Sequence, residues 1–425
     1  MLTIFLIALF GLILLSVPIA FSLILTASIL MLFAGNFSPA LLAQTIVRGI
    51  DSFPLMAIPF FLLAGEIMNV GGISKRIIKF AGALLGHIRG GLGYVTVLAS
   101  MLFAGVSGSA VADTSAMGSL LYPVMKSEGY DEDKSAALFS AAGTIGPIIP
   151  PSIPMIIFGV IANVSIVKLF LGGIIPGVLI GVGLMIGWFV HSRKAGYKAE
   201  GKFNAINVLK AGFEAFWALL LPLIILGGII SGIYTPTEAA VIAVVYALVI
   251  SLFVYRELDL KKMPGLLVST ARMTSVVMMV CGAAMAAAYL ITTAQIPQMM
   301  SRTLLGLAGE NPYLLMLFIN ILLLLVGCVM DLTPALLIMG PMLLPIAMNF
   351  GLDPVYFGVV MIVNLCIGLI TPPVGNILYV GCSISKLTVA QMSKAIVPNI
   401  AIMIATLILI TYVPGLVMFI PNLLN

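Results

Sequence analysis

The chain has 425 residues, of which 62% are hydrophobic and 8% charged, and its formal net charge is +5. That composition excludes a water-soluble globular fold, because apolar runs of about 18 residues or more recur along the chain, each long enough for a transmembrane helix. It also excludes a nucleic-acid surface: the basic residues fall in short clusters between apolar runs, at Lys75 to Arg89, Arg193 to Lys210 and Arg256 to Arg272, as membrane topology requires.

In chain order, hydropathy predicts crossings near residues 3–33, 51–70, 134–162, 168–192, 213–232, 236–256, 266–294, 354–382 and 396–421. The first run lacks a basic leader and is far longer than the core of a signal peptide, so it reads as a retained helix. Two further apolar stretches, 91–127 and 313–349, are interrupted centrally by Ser107-Gly108-Ser109 and Asp331-Leu332-Thr333-Pro334. Each reads as a re-entrant hairpin, since non-helical backbone at membrane depth is tolerated only where protein or water covers it. Before each hairpin lies an amphipathic stretch, Ile73 to His87 and Pro297 to Ala308, expected as a surface helix bracing the part that moves. Cys281, Cys328, Cys366 and Cys382 sit in apolar segments at spacings that build neither a disulfide framework nor a zinc site.

The interruptions come in pairs. Gly146-Pro147-Ile148-Ile149-Pro150-Pro151-Ser152 and Gly368-Leu369-Ile370-Thr371-Pro372-Pro373-Val374-Gly375-Asn376 lie 222 residues apart, and at that offset Gly118 matches Gly340, Pro123 matches Pro345 and Asp131 matches Asp353. The chain is thus an internal duplication: a first repeat over 1–192 (hairpin 91–127, broken helix 134–162), a basic linker and connecting helix over 193–235, and a second repeat over 236–425 (hairpin 313–349, broken helix 354–382). If each hairpin returns to the side it came from, the basic clusters, with Lys386 and Lys394, share one face, the cytoplasm. The N-terminus is then cytoplasmic, the C-terminus periplasmic, and the two repeats inverted. The fold class is an all-α polytopic membrane protein with an inverted repeat, two re-entrant helical hairpins and discontinuous transmembrane helices. Paired Gly/Pro-broken spans at corresponding places in two halves point to the binding site of a secondary transporter.

Few acids lie within apolar segments: Glu66, Asp113, Glu238 and Asp331. Each would cost ~2.5–3.5 kcal/mol at a bilayer centre and needs a partner, a cavity or an ion. Asp113 and Asp331 flank the hairpin tips beside Ser107, Ser109, Thr114, Ser115 and Thr333, hard oxygen ligands without His or Cys, which suit an alkali or alkaline-earth cation. N-capping of the returning helix is the other role open to these two, and the roles are compatible. Thr235-Pro236-Thr237-Glu238 reads as a capping box, and Asp131 and Asp353 read as caps.

Gly-Ser-Ala-Val-Ala-Asp at 108–113, Ile-Pro-Pro-Ser at 149–152, Tyr-Thr-Pro-Thr-Glu-Ala at 234–239, Met-Asp-Leu-Thr-Pro at 330–334 and Thr-Pro-Pro-Val-Gly-Asn at 371–376 resemble, in order and over essentially the whole chain, the large permease subunit of TRAP transporters. The resemblance implies sodium-driven import of a small organic carboxylate across the bacterial inner membrane by an elevator movement. It implies two partners, a separate small four-helix membrane subunit and an extracytoplasmic substrate-binding protein, and no cofactor beyond sodium as coupling ion. It places sodium at Ser107, Ser109, Asp113, Gly143 and Gly146 and at Asp331, Thr333, Thr371 and Gly375, and substrate near Pro150, Pro151, Ser152, Pro373 and Asn376.

Three other readings stand beside it. A stand-alone sodium-coupled divalent-anion carrier also has paired hairpins and needs no binding protein. Gly105-Val106-Ser107-Gly108 matches the Gly-x-Ser-Gly of rhomboid-type intramembrane proteases, but the topology places neither His87 nor His191 opposite the serine, so an enzyme is not expected. A channel could build a filter from re-entrant loops, but channels usually form rings of identical subunits, and this chain contains its own two-fold.

Overall fold

The computed structural model describes residues 1–199, 203–300, 306, 309 and 311–424, whose regular structure is helical apart from one isolated bridge between Arg89 and Ala199. Most of the predicted amphipathic stretch Pro297 to Ala308 lies outside the described residues. Seven helical stretches among those described are long and apolar enough to cross a membrane.

The predicted first crossing is two helices, α1 (Leu2–Leu14) and α2 (Ile19–Phe33), packed on each other. Ser16 takes a left-handed φ of 61° and Pro18 has no amide hydrogen to donate, so the run cannot continue as one rod. Next comes α3 (Pro39–Ile50), which hydropathy passes over: Ser38 caps it, accepting from the Leu41 amide at 3.3 Å, and Pro39 opens its first turn. A short 3-10 turn leads into α4 (Ala57–Val70), and then α5 (Ile73–Leu85), the expected brace. Arg76 of α5 pairs with Glu257 at 2.7 Å, and Lys79 pairs with Glu214.

The first hairpin is α6 (Gly91–Ser107) and α7 (Ala110–Ser127); the first broken helix is α8 (Glu132–Gly143) and α9 (Ile153–Ala162). Four long helices follow: α10 (Ile166–Lys194), α11 (Ala205–Ile230), α12 (Pro236–Val249, running on as a π-turn over Ile250–Val254) and α13 (Met263–Thr293). The second hairpin is α14 (Pro312–Gly327) and α15 (Leu332–Asn349), and the second broken helix is α16 (Pro354–Gly368) and α17 (Asn376–Ser385). The last predicted crossing divides at Val413 and Pro414 into α18 (Val389–Tyr412) and α19 (Gly415–Leu423). The second tip also differs from expectation: the break lies over 328–331, and Leu332, Thr333 and Pro334 already form the first turn of α15.

The two halves exchange segments. In the first, α9 packs on α15, where the missing side chain of Gly340 admits Ile161; in the second, α17 packs on α7, where Gly118 admits Ile384. Gly118 and Gly340 are the same position at the repeat offset, so the contact is reciprocal. A buried polar network fixes the second half further: Asn364 of α16 donates to the Asn320 side chain of α14 at 2.9 Å, Asn320 donates to Thr411 of α18 at 3.0 Å, and Tyr356 donates to the Thr411 carbonyl at 2.6 Å. In lipid such bonds hold helices together where hydrophobic burial cannot.

The capping expectations divide. Thr235 and Glu238 form the capping box of α12, and Asp353 accepts from the Val355 and Tyr356 amides at 2.7 and 3.1 Å. Asp131 does not cap α8 with its side chain. Its carboxylate lies 3.2 Å from His191 Nε2, and its amide donates to the Tyr197 hydroxyl at 2.9 Å, so α10 has drawn it away.

Candidate functional site

Backbone geometry sets the first tip. Gly108 has φ +59°, the left-handed conformation that ends α6, and a Cβ there would lie 2.8 Å from the Pro151 carbonyl oxygen and 3.2 Å from the Ile153 nitrogen. Ser109, in extended conformation, starts α7 by accepting the Ala112 amide at 3.4 Å. The tip therefore sits against the first helix break. Gly65 of α4 lies against Ser107 from the other side.

Behind that tip Asp113 is fully buried on α7. Ser107 donates its hydroxyl to Oδ1, while Oδ2 has no hydrogen-bond partner, and neither has the neighbouring Thr114 Oγ1. Gly146 leaves the space into which Asp113 Oδ2 projects, and Gly143 leaves the space taken by Thr114 Oγ1. Buried oxygens without donors, set against glycine backbone, are what a bare cation would satisfy. Among the described residues no three His, Cys, Asp or Glu converge as a transition-metal site would need.

The first break, over 144–152, is buried, and Ser152 closes it: its hydroxyl donates to the Pro147 carbonyl and accepts the Met155 amide at 3.3 Å, capping α9. The second break is built differently. Thr371 donates to the Ile367 carbonyl at 2.7 Å, Gly375 turns at φ +46° with the Leu369 and Thr371 carbonyl oxygens each 3.1 Å from where its Cβ would be, and Pro373, Val374 and Asn376 are exposed. The bonds Pro150–Pro151 and Pro372–Pro373 are both cis. Asn376 donates to the half-buried Asp331 carboxylate at 3.4 Å.

Between the tips lies a cavity of about 180 Å³ whose walls include Ser109 and Ala110 from the first hairpin, Asp331, Leu332 and Thr333 from the second, and Pro147 and Leu369 from the two breaks. Pro147 and Leu369 are the same position at the repeat offset. Asp331 and Thr333 also border a larger groove of about 610 Å³ that runs toward α2 and α13. Neither lining includes Lys or Arg. The N-terminal turns of three helices, α7, α9 and α15, line the 180 Å³ cavity, and the positive ends of their dipoles supply a positive potential there.

Of the residues expected from sequence, Ser109, Asp331 and Thr333 line this cavity. Ser107, Asp113, Gly143 and Gly146 cluster behind the first tip, and Asn376 reaches Asp331. Pro150, Pro151 and Ser152 are buried in the first break, outside the lining, while Pro373 is exposed at the second. Leu62, Met273 and Val277 also line the cavity and carried no sequence signal, being apolar residues within apolar helices. Pro147 and Leu369 were readable from the repeat offset alone. The protease constellation is absent among the described residues: Ser107 is bonded to Asp113, His191 lies on Asp131, and His87 packs edge-on against Phe203.

Paired hairpins, paired helix breaks and a cavity between them define a helical membrane transporter. The chain belongs to the family described as "Tripartite ATP-independent periplasmic transporter, DctM component", whose model matches residues 6–416. It is a large permease component and not an enzyme. Among its relatives it is 45% identical to the 2,3-diketo-L-gulonate TRAP transporter large permease protein YiaN of Escherichia coli, over 97% of each chain. It is 41% identical to the C4-dicarboxylate large permease DctM of Pseudomonas aeruginosa over 88% of each chain, and 39% identical to the sialic acid large permease SiaM of Vibrio cholerae over 97% of this chain and 96% of that one. In fold it is similar to the YdaH transporter of Alcanivorax borkumensis, with a TM-score of 0.62 at 14% identity over 88% of each chain.

Proposed function

We propose that this chain is the large membrane subunit of a sodium-coupled importer of a small organic carboxylate, working in the bacterial inner membrane with a small four-helix membrane subunit and an extracytoplasmic substrate-binding protein. The observation that carries the reading is the convergence of three helix N-termini on a cavity between two hairpin tips, without any basic side chain. Such a site holds an anion by amides and dipoles, and relatives named for diketogulonate, C4-dicarboxylates and sialic acid supply the class of anion.

Sodium is co-transported cargo in this reading. Asp113 Oδ2 and Thr114 Oγ1, with the backbone at Gly143 and Gly146, would hold one ion; Asp331 and Thr333, with the Leu369 and Thr371 carbonyls beside Gly375, would hold the other. Two cations beside the cavity lower the cost of burying the acids and add to the field that holds the carboxylate. Within the inverted repeats, 1–192 and 236–425, a domain containing both hairpins would carry this site by an elevator movement against the rest of the chain, with the N-terminus cytoplasmic and the C-terminus periplasmic. Each net positive charge carried inward contributes about 2.3 kcal/mol per 100 mV of membrane potential.

The test is uptake of labelled carboxylates into proteoliposomes holding both membrane subunits, with the binding protein outside. Uptake that needs both the binding protein and an inward sodium gradient is expected. Equal uptake with sodium absent on both sides and only a proton gradient would overturn the coupling, and uptake by this chain alone would point to a stand-alone carrier.

A further inference from the structure

Away from the transport cavity, a pocket of about 490 Å³ is lined by Ile88, Arg89, Phe189, Ser192 and Arg193. Neither arginine takes part in an ion pair among the described residues. The Arg193 guanidinium lies 4.3 Å from the centre of the Phe189 ring, which places its charge at the pocket while its stem runs over an apolar wall.

The pocket's depth follows from α10. Between Lys168 and His191 that helix has no charged residue, so Arg193 stands where it leaves the apolar layer. Trp188, buried one turn earlier, ties the two arms of the pocket together: its indole donates to the Gly90 carbonyl, next to Arg89, at 2.8 Å, and its ring stacks on Tyr130. From the pocket an apolar stripe runs back along α10 at helical spacing through Phe189, Ile186 and Val182, which are 43%, 59% and 44% exposed.

We propose that Arg89 and Arg193 bind the headgroup phosphate of an anionic phospholipid whose acyl chains lie along the Phe189–Ile186–Val182 stripe. Two guanidiniums that form no ion pair among the described residues suit a phosphate, and basic pockets between helices at the cytoplasmic surface recognise anionic headgroups. The stripe distinguishes a lipid from a free anion, because soluble phosphate has no use for an exposed apolar track. Occupancy would tie the start of α6, two residues after Arg89, to the end of α10.

Native mass spectrometry of the detergent-purified permease complex tests this, with phosphatidylglycerol, phosphatidylcholine and inorganic phosphate each titrated in turn. The intact complex is expected to retain phosphatidylglycerol over phosphatidylcholine, and R89Q/R193Q to weaken that retention roughly tenfold or more, since each basic residue contributes about 1 kcal/mol. Arg272→Gln, a basic residue elsewhere, should leave it unchanged, and R89K/R193K should restore most of it, which separates lost charge from lost fold. Equal retention by R89Q/R193Q, equal retention of phosphatidylcholine, or displacement of phosphatidylglycerol by an equal concentration of inorganic phosphate would each overturn the proposal.

Discussion

Ser109 and Asp331 hold the same station in the two halves, each at the N-cap of its hairpin's returning helix, yet only Ser109 caps with its side chain. The serine hydroxyl accepts the Ala112 amide, whereas the Asp331 carboxylate makes no bond to α15 and accepts from Asn376 across the tip. A carboxylate released from capping keeps oxygens free for a ligand.

Exchanging that residue for its counterpart is therefore informative. Asp331→Ser keeps a capable N-cap and removes the charge. Its expression and size-exclusion profile are expected to match the parent, while the sodium concentration for half-maximal uptake rises about tenfold or more, equivalent to ~1.4 kcal/mol or above. An unchanged sodium curve would remove Asp331 from the ion site.

Asp113 makes the converse case, since its buried carboxylate has one satisfied and one unsatisfied oxygen. Asp113→Asn discards an uncompensated charge but can still accept from Ser107. In sodium-free detergent its thermal stability should equal or exceed the parent's. The stabilisation by saturating sodium, about 2.7 kcal/mol at a hundred times the dissociation constant, should be lost. Melting curves with and without sodium decide it.

Two glycines with similar backbone separate strain from crowding. Gly108 and Gly129 both have positive φ, +59° and +78°, but a Cβ at 129 meets nothing within 4 Å, whereas one at 108 meets the Pro151 carbonyl. Gly129→Ala should cost about 1 kcal/mol, from the left-handed conformation alone, and Gly108→Ala more, as a larger drop in melting temperature. Equal losses would mean that the tip does not press on the break.

The Asn320, Asn364 and Thr411 network should act as a unit. Asn320→Ala and Asn364→Ala are each expected to destabilise by roughly 0.5–2 kcal/mol, and the double variant by less than the sum, because each single change already orphans the other side chain. Strict additivity in thermal unfolding would contradict the bonding described.

Sequence alone revealed the breaks, the hairpins and the acids near their tips, because glycine, proline and intramembrane charge leave few conformational choices. The capping boxes of α12 and α18 are also local and equally readable. The misses were tertiary or lay beneath an apolar average. Hydropathy could not see Ser16 turn left-handed before Pro18, nor pick out α3, whose exposed Gln44 and Arg48 lower its mean hydropathy. Asp131 had the position of a cap, and only the folded chain brings His191 beside it. The asymmetry between the breaks, one buried and one exposed, depends on neighbours that no repeat offset reveals.

The reciprocal seating of Ile161 at Gly340 and Ile384 at Gly118 bears on how such a chain can be divided. Each half lends the other a piece of its own broken helix, so severing the polypeptide within the linker, near residue 200, would leave two fragments still clasped. Neither fragment expressed by itself has a surface to replace what the other supplied, and co-expression is the condition under which both should persist.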